Sequence, residues 1–165
     1  MGVARYLADK SALARPNREP VARRLVPLID AGLVGTCGVI EAEVLFSARG
    51  LDEYETVRED RRRGYEGLPM PDEVWDRLLE VQRELARRSA LRAVTIGDLL
   101  VAATAERHGL TVVHYDRDFE LIAESPANRW SGWCRPVRSL IHSRTSTTDG
   151  GQRCYDVGAV AHGPQ

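Results

Sequence analysis

The chain has 165 residues, the usual size of one domain, and with 43% apolar and 28% charged residues its bulk folds rather than staying disordered. A formal net charge of −1 excludes a global positive field for nucleic acid or membrane, although a local arginine patch remains compatible with it; Lys10 is the only lysine. Three scattered cysteines, Cys37, Cys134 and Cys154, with no CxxC, argue against zinc or dithiol chemistry; with no apolar leader and no run of 18 apolar residues, they predict a cytoplasmic protein that does not cross a membrane.

In chain order, residues 4–8 predict a short strand that stops at Asp9. Val21, Leu25, Leu28 and Ile29 fall at helical spacing and predict a helix over 21–32. A second strand is expected over 33–38 and a helix over 39–50, with Gly50 as its stop. Residues 51–67 read as a charged surface helix, and Pro69 and Pro71 bracket a turn or short strand. Val74, Leu78, Val81 and Leu85 recur at core-facing intervals in a helix from 72 to about 89. The apolar segment 95–109 predicts a helix ended by Gly109, with Thr95 or Asp98 as its cap. A buried strand (110–115), a short helix (118–124) and a last strand near 129–137, flanked by Trp130 and Trp133, complete the pattern. Helices alternating with strands predict a parallel sheet covered on both faces. From Ser139 onward the composition loses periodicity and reads as a disordered tail, which sets a domain over 1–138 and a tail over 139–165.

In open α/β sheets, ligands bind beyond the carboxyl ends of the strands. Asp9 follows the first strand and Asp116 the strand TVVHY, with Asp118 two residues on. Asp98 opens the helix that leads into that strand, and Glu43 lies one turn into the helix after the second strand. Taken singly each has an ordinary reading: Asp9 and Asp98 as helix caps, Asp116 as an Asx-turn. Glu41, about 200° round the helix from Glu43, reads as the solvated member of that pair, since Ile40, Val44 and Phe46 around Glu43 are apolar. Four carboxylates converging on one edge would repel one another, and a hard divalent cation with oxygen ligands, Mg2+ or Mn2+, removes that repulsion.

Three stretches, YLADKSAL (6–13), CGVIEAEVLFSAR (37–49) and IGDLLVAATAERHGLTVVHYDRDFELIA (96–123), resemble the PIN domain and, more narrowly, the VapC toxins of bacterial type II toxin–antitoxin pairs. The resemblance covers roughly 4–137. It implies a PIN-like three-layer α/β/α sandwich with a central parallel sheet. It also implies a Mg2+-dependent endoribonuclease, with Mn2+ able to substitute, that hydrolyses structured RNA such as tRNA or rRNA. Such toxins form homodimers and are neutralised by a VapB-type antitoxin, whose groove would lie over 45–54. Carried over by position, the acidic set is Asp9, Glu43, Asp98 and Asp116, as catalytic residues and metal ligands, with Asp118 as an auxiliary acid and Ser11 as the hydroxyl that orients the first aspartate. Two departures stand out: Lys10 where the family often has Thr or Ser, and His114 where it often has Thr. His114 reads more readily as a partly buried strand-end residue than as an RNA contact. The arginine clusters at 60–64 and 86–89 are candidates for RNA contact, though each also reads as a solvated helix face.

Three rival readings remain. A phosphoacceptor receiver domain needs a lysine at the end of a late strand, and the chain's one lysine is Lys10. A haloacid-dehalogenase-type phosphatase needs an aspartate two residues after the first, and position 11 is Ser. The third is a catalytically idle PIN domain that acts only as a binding partner, against which the intact acidic set speaks.

Overall fold

The structure is a computed structural model that describes residues 3–14, 19–115, 118–123 and 138–139. Its centre is strand β1 (Tyr6–Ala8), flanked by β2 (Val34–Cys37) and β4 (Thr111–His114), each buried almost throughout. Beyond them lie β3 (Glu66–Leu68) and β5 (Arg138–Ser139), so the five strands run in the order β3-β2-β1-β4-β5, all parallel. Successive strand residues face opposite ways, and the core divides accordingly. Leu7 and Val112 meet the large cluster that includes Ile40, Val74, Leu78, Leu85, Leu99, Val101 and Phe119. Ala8, Val34 and Val113 meet Ala12, Val21 and Leu25 on the other face. The sheet is therefore the middle of three layers, as the alternating pattern predicts.

Helices α1 (Lys10–Leu13) and α2 (Glu19–Asp30) cover one face; α3 (Gly38–Leu45), α5 (Asp72–Arg87), α6 (Ile96–His108) and α7 (Asp118–Ala123) cover the other, while α4 (Leu51–Gly64) carries the chain from α3 to β3. Val74, Leu78, Val81 and Leu85 are all buried on α5, at the spacing the sequence sets. Helix α6 ends where Gly109 takes a left-handed conformation (φ 66°), in which its amide reaches back to the last turn. No helix among the described residues is long and apolar enough to cross a membrane.

Four expectations need correction. Gly50 does not end α3; that helix closes at Phe46, and Gly50, with extended backbone, opens α4. Phe46 is not a core residue but 90% exposed. The segment after α4 is a strand, which three residues containing Glu66 and Gly67 do not announce, because its pairing with β2 rather than local propensity makes it. Lastly, Glu41 is not solvated and the arginine run is not wholly a surface face. Arg61 is 7% exposed and grips Glu41 with Nε (2.8 and 3.0 Å) and Nη2 (2.7 Å). Its Nη2 also donates to Thr36 Oγ1 at 3.1 Å, and its guanidinium lies 4.4 Å from the centre of the Tyr65 ring. The residues of the expected strand 129–137, with Trp130 and Trp133, lie outside the described residues; the strand that is described, β5, follows directly after them. The tail beyond it also lies outside the described residues.

Removing Arg61 leaves Glu41 against the sheet without its cation, a loss that exceeds that of an ordinary surface pair. Arg61→Met is expected to lower unfolding stability by about 2 kcal/mol, and Glu41→Gln made in the same chain should recover part of it. Denaturant midpoints of the two variants check this; an unchanged midpoint for Arg61→Met would mean that water serves Glu41 equally well.

Candidate active site

Strand β1 lies where the sheet changes direction: the chain moves from β1 to β2 on one side, then crosses back to β4 on the other. A crevice opens at such a switch point, beyond the carboxyl ends of the two strands. Asp9 sits in it. Its amide donates to Val113 O of β4 at 2.9 Å, and its Oδ2 accepts from the Ser11 amide at 2.8 Å, so Asp9 is the N-cap of α1. This carboxylate is only 5% exposed. The hydroxyl of Ser11 accepts from the Tyr115 amide at 2.9 Å. Ser11 thus holds Asp9 through its amide, while its hydroxyl anchors the chain one residue ahead of Asp116.

Asp98 stands in the first turn of α6. Thr95 caps that helix by accepting from the Asp98 amide at 3.1 Å, and Asp98 Oδ2 accepts in return from Thr95 N at 3.1 Å and from Thr95 Oγ1 at 2.6 Å. Both cap readings of the sequence are thus realised, but as a reciprocal box. A cap does not remove a carboxylate from a site; it fixes the carboxylate's direction.

Glu43 joins the two aspartates. Its Oε1 rests against the backbone of Gly97, so close that a Cβ at that position would stand 2.5 Å from it. Burial raises the carboxyl above its ordinary value; the negative charge of Asp9 adds to this, Lys10 opposes it, and Asp98 adds again. Glu43 therefore feels the charges of Asp9 and Asp98 at one edge, with Lys10 as a neighbouring cation. Gly97 is a site residue that sequence reading missed. The available signal was a glycine inside the first turn of a helix, where alanine is the better helix former.

The other expected residues fall as follows. Asp118 is half-buried as the first residue of α7. Asp116 lies outside the described residues. His114 is fully buried, 0% exposed, with its ring centre 4.8 Å from that of Phe119, so it packs in the core and does not reach RNA. Among the described residues, no group of three or more His, Cys, Asp and Glu side chains is gathered tightly enough to hold a metal ion. The chemistry of the side chains fits one nevertheless, since carboxylate oxygens are the donors a hard divalent cation takes.

A three-layer fold with aspartates at the switch point of a parallel sheet is the arrangement of a PIN domain, and the chain belongs to the PIN-domain family, whose model matches residues 6–125. Within that family it falls among the VapC proteins. It is 44% identical over 119 residues to Ribonuclease VapC21 of Mycobacterium tuberculosis, which spans 72% of this chain and 86% of the relative. It is 43% identical over 122 residues to Ribonuclease VapC2 of the same species, which spans 72% of this chain and 85% of the relative. The fold is shared with the DNA-bound VapBC of Salmonella typhimurium (TM-score 0.64, 16% identity, 84% of this chain and 99% of that one). It is shared too with VapBC-5 of Mycobacterium tuberculosis (TM-score 0.51, 22% identity, 76% of this chain and 95% of that one).

The raised carboxyl of Glu43 sets a pH dependence. A carboxyl whose folded value lies above its unfolded value keeps its proton longer in the folded state, so stability falls as pH rises through the window between the two. In metal-free protein, melting temperature should therefore decline from about pH 4.5, the ordinary glutamate value, up through the raised one. Glu43→Gln should remove that decline and melt higher above the window. Melting scans in EDTA between pH 4 and 8, a range about the ordinary and raised values, check it; identical profiles for both proteins would show that Glu43 is not crowded.

Proposed function

We propose that the chain is a Mg2+-dependent endoribonuclease, the toxin of a type II toxin–antitoxin pair, that hydrolyses RNA phosphodiester bonds. The observation that carries this reading is Glu43, pressed on Gly97 between Asp9 and Asp98 with its charge disfavoured by both. Support also comes from the ribonuclease relatives and from the family model, whose match over 6–125 includes the segments that bear all three acids. Asp9, Glu43, Asp98 and Asp116 would hold the cation, with Asp118 as an auxiliary and Mn2+ as a substitute. The cation would lower the pKa of an attacking water and clamp the scissile phosphate.

The chain's own residues supply the positioning. The Ser11 amide aims Asp9, Thr95 aims Asp98, and Gly97 leaves the space that Glu43 fills. Lys10 offers a positive charge at the rim of the acidic edge, where a phosphate arrives. A VapB-type antitoxin is the proposed protein partner and a homodimer the proposed assembly. The apolar side chains exposed at the α3–α4 corner, Phe46, Leu51 and Tyr54, support a protein contact there. A tRNA or rRNA target, a cytoplasmic setting, and a domain over 1–138 followed by a tail over 139–165 complete the reading.

Asp9→Asn, Asp98→Asn and Asp116→Asn are each expected to abolish RNA cleavage; for Asp9 and Asp98 the melting temperature should stay near that of the parent, since an asparagine side-chain oxygen still accepts from the Ser11 and Thr95 amides. Mg2+ should raise the melting temperature of the parent and not of the variants, and EDTA should stop cleavage. Cleavage that persists in EDTA would overturn the metal-dependent reading; cleavage by any one variant would remove that residue from the set.

Gly97→Ala tests the geometry without touching a carboxylate. Alanine favours the helix by up to about 1 kcal/mol, so stability should hold or rise. The new methyl takes the place of Glu43 Oε1, so cleavage should fall by about tenfold or more, on the scale of a misplaced group. Full activity in this variant would mean that the position of Glu43 is not required.

A further inference from the structure

Two contacts fix how α5 and α6 lie together. Arg77 Nε donates to Glu106 Oε2 at 2.8 Å, and His108 Nε2 donates to Pro69 O at 2.9 Å, just before α5 begins. The start of α5 therefore lies beside the end of α6, and the two helices run antiparallel. With equal rise per residue, ten residues up α5 from Arg77 and ten back along α6 from Glu106 bring Arg87 level with Ile96. Ile96 precedes Gly97, the residue against which Glu43 rests. The C-terminal end of α5 thus stands at the same sheet edge as the three acids.

Between Glu84 and Asp98 the chain carries Arg87, Arg88 and Arg92 and no acid. All three are exposed; Arg87 also bonds Glu84 at 3.0 Å. Their backbone is held firmly. Ser89 takes a left-handed conformation (φ 57°), costly for a residue other than glycine. The Ala90 amide closes on Leu85 O at 2.8 Å, and a 3-10 turn over Leu91–Ala93 follows, leading to buried Val94 and the Thr95 cap. Three permanent positive charges are thus displayed on a fixed connector beside a negative pocket.

We propose that Arg87, Arg88 and Arg92 form a phosphate-tracking arm that grips the RNA backbone next to the scissile bond. This rests on the ribonuclease reading above. Acids gathered at the pocket repel the polyanion they are to cut, and a flanking row of guanidinium groups offsets that repulsion, since arginine binds phosphate in a bidentate manner. The exposed residues of the arm include no aromatic side chain that could stack on a base, so the arm sets register on the backbone and carries no sequence preference.

The test compares the parent with the triple variant Arg87→Gln, Arg88→Gln, Arg92→Gln, and with Arg5→Gln, exposed at the opposite, amino end of β1, as a control. Binding of a labelled single-stranded RNA of mixed sequence is followed by fluorescence anisotropy in EDTA over a range of salt. Each lost phosphate contact flattens the slope of log affinity against log salt by about 0.7 on single strands, so the triple variant should lose about 2 in slope and bind about tenfold or more weakly at low salt. Its KM for cleavage should rise with kcat largely kept, its Mn2+ affinity should match the parent's, and Arg5→Gln should change none of these. A triple variant with the parent's slope and KM overturns the arm while leaving the ribonuclease reading intact. A variant that keeps its slope but loses self-association or antitoxin binding assigns this face to protein and equally overturns it. If the parent neither binds nor cuts RNA, the ribonuclease reading falls first and the arm with it.

Discussion

Everything at the carboxyl edge depends on like charges held together by neutral backbone. Asp9 is fixed by the Ser11 amide and Asp98 by the amide and hydroxyl of Thr95. Each aspartate therefore sits at the start of a helix, where the free amides and the helix dipole favour negative charge. Two helix starts, α1 and α6, do the gathering that a protein cation would otherwise do. A salt bridge would have neutralised the acids and left nothing to attract a metal. Capping holds them in place without one.

Helix α3 shows how finely this separation is made. Glu41 and Glu43 are two residues apart and point to different partners. Glu41 turns toward the β2–β3 side, where Arg61 neutralises it and the Thr36 hydroxyl donates to it, and helps to fasten α4 against the sheet. Glu43 turns toward α6, lies against Gly97 and feels the charges of Asp9, Lys10 and Asp98. One carboxylate is bound into an ion pair and the other is left at the acidic edge, and the helical twist decides which.

Much of this was legible in the sequence because the signals are local and periodic. The core positions of α5, the Gly109 stop of α6 and the placement of Asp9 at a strand end all follow from spacing. Asp9, Glu43 and Asp98 could be placed near one edge from the order of the elements, since Asp9 follows β1, Glu43 lies in the helix after β2 and Asp98 opens the helix that leads into β4. What escaped reading came from distant pairing. Nothing beside Arg61 announces that it is buried, because its partner lies 20 residues away on another helix. β3 is a strand only because β2 offers it a ladder. Gly97 reads as a weak helix residue until Glu43 is laid against it.

The bond from the Tyr115 amide to the Ser11 hydroxyl spans 104 residues of chain. β4 is also the strand that pairs with β1, so the crevice has no second wall until residue 113 has been made. Contacts of such long separation close late in folding, after the local helices have formed. A chain still on the ribosome, with α1 through α5 complete, holds Asp9 and Glu43 but no crevice around them. Whatever chemistry the acidic edge performs therefore switches on only when synthesis of the domain is nearly complete.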